Sequence, residues 1–153
     1  MYKQESVKIR VKYSFIKKLA YFQVLCATGI ILFWIYFFIF ENSNPDFSEI
    51  YLSHERAFPV PDLIYLTPCL ILGALGLLKK KDYGFLFSLL AGSSMIFLSV
   101  LDTSFYILQG LFTAHITRGI IFGFIFITLF LSGIIILIIL WRNSIILIAS
   151  HHR

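Results

Sequence analysis

Charged side chains are scarce in this sequence: Lys, Arg, Asp and Glu make up 14% of the 153 residues, whereas 59% are hydrophobic. Soluble domains carry about 25% charged residues, so the deficit excludes an ordinary water-soluble fold and makes lipid the main solvent. Cysteine is equally sparse, and Cys26 and Cys69 stand in separate apolar stretches. That spacing excludes a Cys-x-x-Cys redox pair. At a rise of about 1.5 Å per residue the two thiols lie at depths too different for a disulfide, and both read as small buried apolar residues. The chain also lacks a phosphate loop, a dinucleotide fingerprint and a nucleophile elbow, which removes the common soluble catalytic frameworks. Its long apolar runs show no period-two alternation, and a membrane β-barrel is thereby excluded.

What is present is four apolar stretches free of ionised side chains: Leu19 to Phe40, Leu63 to Leu78, Gly84 to Leu101 with an extension to Ile107, and Gly119 to Leu140. A helix crosses a hydrocarbon core of about 30 Å in roughly 20 residues, and inside that core every backbone amide must be paired within its own segment. The expectation is an all-α membrane protein, a single four-transmembrane-helix bundle with spans at about 19-40, 62-78, 83-107 and 118-141. The second span is short, a mismatch that snorkelling lysines at Lys79 can absorb. The first is longer than a signal-peptide core and Glu41-Asn42-Ser43 offers no cleavage pattern, so it is read as an anchor.

Basic residues set the orientation. Eleven of the thirteen Lys and Arg residues lie before the first span, between the second and third, or after the fourth; only Arg56 and Arg118 lie on the other side. The positive-inside rule then predicts N-in/C-in topology, with both termini cytoplasmic, for a multi-pass protein of the cell membrane. The basic face is read first as a topology signal alone, with binding of anionic lipid by the N-terminal arm as an addition, and nothing beyond net charge speaks for nucleic acid. Within that arm Val7, Ile9, Val11 and Tyr13 alternate with basic residues, a pattern that suits a strand or an arm on the membrane surface.

The long outer loop, 41-61, has readable local structure. Asn44-Pro45-Asp46 supplies a candidate N-cap, a proline for the first helical position and an acid for the first turn. Phe47, Ile50, Tyr51 and Glu55 follow at helical spacing, predicting a short amphipathic helix over residues 45–56 that covers the outer mouth and ends at Phe58-Pro59-Val60-Pro61. Pro68 should kink the second span. Small residues recur on the later spans (Gly73, Gly76, Gly84, Ser88, Gly92, Gly119, Gly123, Gly133), and they are read as contacts inside the bundle rather than a dimer seam.

Polar chemistry gathers at the outer end. Asp62 opens the second helix, and Asp102 lies 20 residues beyond Asp82, so both carboxylates reach a similar depth. An acid at a helix N-terminus caps free amides, which accounts for Asp62 without any ligand. Asp102 stands near a helix C-terminus at the edge of hydrocarbon, where a carboxylate needs a partner. A structural ion pair with Arg118 is the simplest; Arg56, His54 and His115 are the other candidates. The functional reading is a ligand site built from Glu55, Asp62, Tyr65, Asp102, Phe105 and Tyr106, with His115 and Arg118 beside it. No His, Asp and Glu spacing matches a metal motif, and no cofactor is expected.

The run Glu55-Arg56-Ala57-Phe58-Pro59-Val60-Pro61-Asp62, followed by Gly76-Leu77-Leu78, Lys81-Asp82-Tyr83-Gly84 and Leu101-Asp102-Thr103-Ser104-Phe105, resembles a group of small prokaryotic four-helix integral membrane proteins of unknown function. The resemblance covers roughly residues 55–112. It implies the same topology and draws attention to Glu55, Asp62 and Asp102, but implies no activity. Three functions follow from the residues. The preferred one is non-enzymatic binding of a lipid-like or cationic amphiphile, or docking of a partner membrane subunit, at the outer mouth. The alternative is a small membrane enzyme, a lipid isomerase or hydrolase with one carboxyl protonated and another ionised. The last is an ion or proton pathway through a homo-oligomer.

Overall fold

The structure is a computed structural model, and it describes residues 2–114 and 116–149, with side chains from 14–114 and 116–143. Its elements run in the order α1 (Tyr2–Tyr36), a π-helical turn (Phe37–Glu41), α2 (Glu49–Glu55), a second π-helical segment (Pro61–Leu66), α3 (Thr67–Leu78), α4 (Asp82–Leu108), α5 (Leu111–Ala114) and α6 (Ile116–Ala149). Among the described residues there is no strand. Four helical stretches among the described residues are long and apolar enough to cross a membrane: Ser14–Glu41, Pro61–Leu78, Asp82–Leu108 and Ile116–Asn143. The N-terminal arm continues α1 from Tyr2 and is not a strand. Helix propagation from a long apolar segment adds one hydrogen bond for each residue fixed, and here it outweighs the alternation of the arm.

Successive spans are neighbours. The helix α1 lies on α3, α3 on α4 and α4 on α6, whereas α1 and α6 barely touch. The spans approach closely where both partners are glycine. A Cβ on Gly84 would run into the Gly76 backbone, and one on Gly133 would sit 2.6 Å from the Gly92 carbonyl oxygen. These stripes are therefore seams within the bundle, as small residues in lipid allow. The Gly119 and Gly123 pair is different: Gly119 accommodates the backbone of Phe112, and Gly123 faces the Phe112 ring.

Local chemistry explains the turns. Between α3 and α4, Lys81 N–H donates to Gly76 O at 2.8 Å and Lys80 N–H to Leu77 O at 3.3 Å, with Lys80 left-handed at φ 55°. This is a Schellman closure with lysine in the position glycine usually takes. At the other end of α4, Gly110 (φ 65°) turns the chain toward α5.

Pro68 has no N–H to donate, and the expected disturbance takes the form of the π-helical segment just before it, in which Thr67 N–H reaches back to Asp62 O. The loop helix starts later than the Asn44-Pro45-Asp46 pattern suggests. Asn44 Oδ1 instead accepts from Asp46 N–H in a local turn, while Ser48 caps α2 by accepting from Tyr51 N–H at 3.3 Å. The later start changes the buried face to Tyr51, Leu52 and Glu55, and leaves Ile50 exposed.

Two cores result. One, between Ile16 and Leu140, fills the bundle toward the lysine turn; the other is an aromatic cluster of Trp34, Phe37, Tyr51, Leu52, Tyr106, Phe122 and Phe126 beneath α2. The second core carries the buried carboxyls Glu41 and Glu55, whereas Gln23 and Ser88 are buried beside the first.

Candidate functional site

Beneath α2 lies a cavity of about 370 Å³ that Glu55, Asp62 and Asp102 all line, together with Trp34, Phe58, Met95 and residues of α6. Three different elements deliver the three carboxyls. Glu55 closes α2, Asp62 stands in the first turn of the second span, and Asp102 comes from the last two turns of α4. The similar depth expected for Asp62 and Asp102 is thus matched by a shared cavity.

Each acid has its own partner. Trp34 Nε1–H donates to Asp62 Oδ2 at 3.0 Å. Asp62 therefore spends an oxygen on an indole from α1 and is not the cap of its helix; Pro61 and the preceding turn already carry the chain into helical geometry. His54 Nε2 lies 3.2 Å from Asp102 Oδ1, and the imidazole stacks flat on Phe105, with centroids 3.6 Å apart and planes 2° from parallel. Burial lowers the pKa of His54, so at neutral pH the ring is uncharged and this contact is a hydrogen bond.

Glu55 is 7% exposed. Desolvation pushes its carboxyl up to about 8, helped by the neighbouring Asp102, Glu41 and Asp62. The Tyr106 hydroxyl lies near enough to favour ionised Glu55 slightly, yet falls short of a hydrogen bond and is left buried without a partner. A fourth acid, Glu41, accepts from the Tyr51 hydroxyl at 2.8 Å. Burial and the nearby carboxylates raise the pKa of Tyr51, which stays a phenol throughout the accessible pH range.

The basic residues of this end are engaged elsewhere. Arg118 lies over the Phe47 ring at 3.9 Å, with one amino group 3.5 Å from Asp46 O, so the expected ion pair with Asp102 is replaced by the His54 contact. The guanidinium gains an aromatic face and remains at the exposed rim. Arg56 holds Asn42 through two hydrogen bonds, at 2.8 and 2.7 Å, and approaches Glu49 at 3.7 Å. Tyr65 is 47% exposed and does not line the cavity, because the second span turns that face outward. Phe105 and Tyr106 do not line this cavity either: Phe105 stacks on His54, and Tyr106 lines a neighbouring cavity together with Arg118, while His115 lies outside the described residues.

Sequence reasoning missed Trp34, Glu41 and Tyr51. The available signal for Trp34 was depth counted from the lysine end: it lies about 23 Å beyond Leu19, and Asp62 lies about 24 Å from Leu78 on the next span. Among the described residues no three His, Cys, Asp or Glu side chains converge on a metal-sized site.

Compared with known proteins, the chain matches no family model, no curated protein and no solved structure. Chemically, the site offers carboxyl groups in an apolar, aromatic enclosure. Such an enclosure suits a cationic or hydrogen-donating head joined to an apolar body.

Proposed function

We propose that this chain is a non-enzymatic membrane protein that binds an amphiphile with a cationic head, the head lying against Glu55, Asp62 and Asp102. The observation that carries the reading is the convergence of three carboxyls from separate elements on one cavity, with neither Arg56 nor Arg118 reaching them. Its volume of about 370 Å³ lies in the range of small-molecule sites. Aromatic rings at Trp34, Phe58 and Phe122 add faces for a desolvated cation. The basic residues Lys79, Lys80 and Lys81 stand at the opposite end of the bundle, which supports a cytoplasmic lysine face, cytoplasmic termini and a site on the outer side of the cell membrane.

The test is Asp102→Asn. Purified in native lipid, the variant should express like wild type and retain less amphiphile by mass spectrometry. Unchanged lipid and partner content would remove the reading.

One observation favours a second function. Glu55 is held protonated at neutral pH while Asp62 accepts from Trp34, so two carboxyls in one cavity differ in environment, as an acid and base pair of a lipid isomerase or hydrolase would. Turnover of a lipid by wild type, abolished by Asp62→Asn, would establish that reading instead.

A further inference from the structure

Directly above the acids, α2 roofs the first cavity. Tyr51, Leu52 and Glu55 of α2 are all buried, and Phe58 lines the cavity below them. The side between α1 and α6 is different, because these two spans are the adjacent pair that barely touch. A second, larger cavity of about 750 Å³ joins it at Gly29, Phe33, Phe122 and Ile125 and continues between α1 and α6 toward the loop, past Tyr36 and Phe40 to Glu41 and Arg118. Gly29 is exposed, and a Cβ built there meets nothing within 4 Å. It lies twelve residues before Glu41, about 18 Å down the span and well inside hydrocarbon.

Resting on the amphiphile reading above, we infer that the occupant reaches the acids sideways from the bilayer and keeps its hydrocarbon chain in the α1/α6 crevice. The ligand class is then a membrane-resident amphiphile bearing a cationic head on an alkyl chain, and not a water-borne cation. Charge and polarity set its direction. The carboxyls mark the head end, and the part of the first cavity nearer the lysine turn is lined by Cys26, Gly29, Met95, Ile125 and Leu129. A chain lying there exchanges bilayer hydrocarbon for protein hydrocarbon. The head is the part that gains from the site, which gives the crevice its role as a route as well as a seat.

The experiment uses the full chain in nanodiscs of zwitterionic phospholipid and an alkyltrimethylammonium probe with a diazirine at the far end of its chain. Irradiation at pH 8 should label α1 around Gly29 and α6 around Ile125. An excess of unlabelled probe should compete the labelling away, and Glu55→Gln should abolish it. Gly29→Leu, which fills open space, should cut labelling about tenfold, the scale of a misfit group in an apolar pocket; Ile125→Phe narrows the crevice from the opposite wall and should act alike. Competable, Glu55-dependent labelling on α2, or labelling indifferent to both crevice variants, would overturn the lateral route and leave the head site standing. Labelling that is not competed, or is equal in Glu55→Gln, would instead overturn the amphiphile reading on which the route depends.

Discussion

Raising the pH should tighten the protein's hold on a permanently charged cation, and the size of the effect follows from Glu55. Its carboxyl is pushed up to about 8 by burial and by the acids around it. At pH 6 only about 1% of such a group is ionised, at pH 7 about 10% and at pH 8 half. A quaternary ammonium head that requires the ionised form sees an affinity reduced by that fraction. The dissociation constant should therefore fall about tenfold from pH 6 to 7 and about fivefold from 7 to 8, then level off, a total close to 2 kcal/mol. Trp34, whose indole sits on Asp62, is the reporter. With Trp141→Phe removing the second tryptophan, its fluorescence can be titrated with dodecyltrimethylammonium in nanodiscs. Glu55→Gln should abolish the slope. An affinity flat between pH 6 and 8, or one that rises toward acid, would refute the assignment of the head to Glu55.

The same displaced carboxyl predicts that the ligand-free protein loses stability as pH rises: the folded state binds more protons than the unfolded one between 4.5 and about 8, so the contribution is complete below 4.5 and gone above 8. The limit is about 5 kcal/mol at 1.36 kcal/mol per pH unit, and thermal melts from pH 5 to 9 should show a decline that Glu55→Gln flattens. Replacing His54 with Ala leaves Asp102 without its hydrogen-bond partner and strips the stacked ring from Phe105; a loss of about 1–3 kcal/mol is expected in denaturant titrations. Gly84→Val must separate α4 from the Gly76 backbone, so a loss of about 1–3 kcal/mol should accompany it, while Gly29→Ala, with open space around it, should leave melting almost unchanged. For topology, single cysteines placed at Asn44 and at Lys80, with Cys26 and Cys69 replaced by Ala, should react with an impermeant maleimide from opposite faces of the membrane; labelling from one face would sink the four-span arrangement.

The sequence alone determined the solvent and the number of crossings. Four apolar runs of membrane length leave the backbone a single economical solution in hydrocarbon, so the helical bundle was legible without any contact being known. It also indicated the acid-bearing end, because Asp62 and Asp102 reach a similar depth by simple counting along the helices and Glu55 lies in the loop at that end. Partners were another matter. Arg118 looked like the natural mate of Asp102, and only the tertiary structure assigns that place to His54 and sends the arginine to Phe47. The choice depends on helix rotation and on where the loop helix begins, and one residue of either turns a side chain through about 100°. Ser48 rather than Asn44 made that choice in α2. The open crevice between α1 and α6 was beyond sequence altogether, since composition sets which faces are apolar and only packing decides which two of them fail to meet.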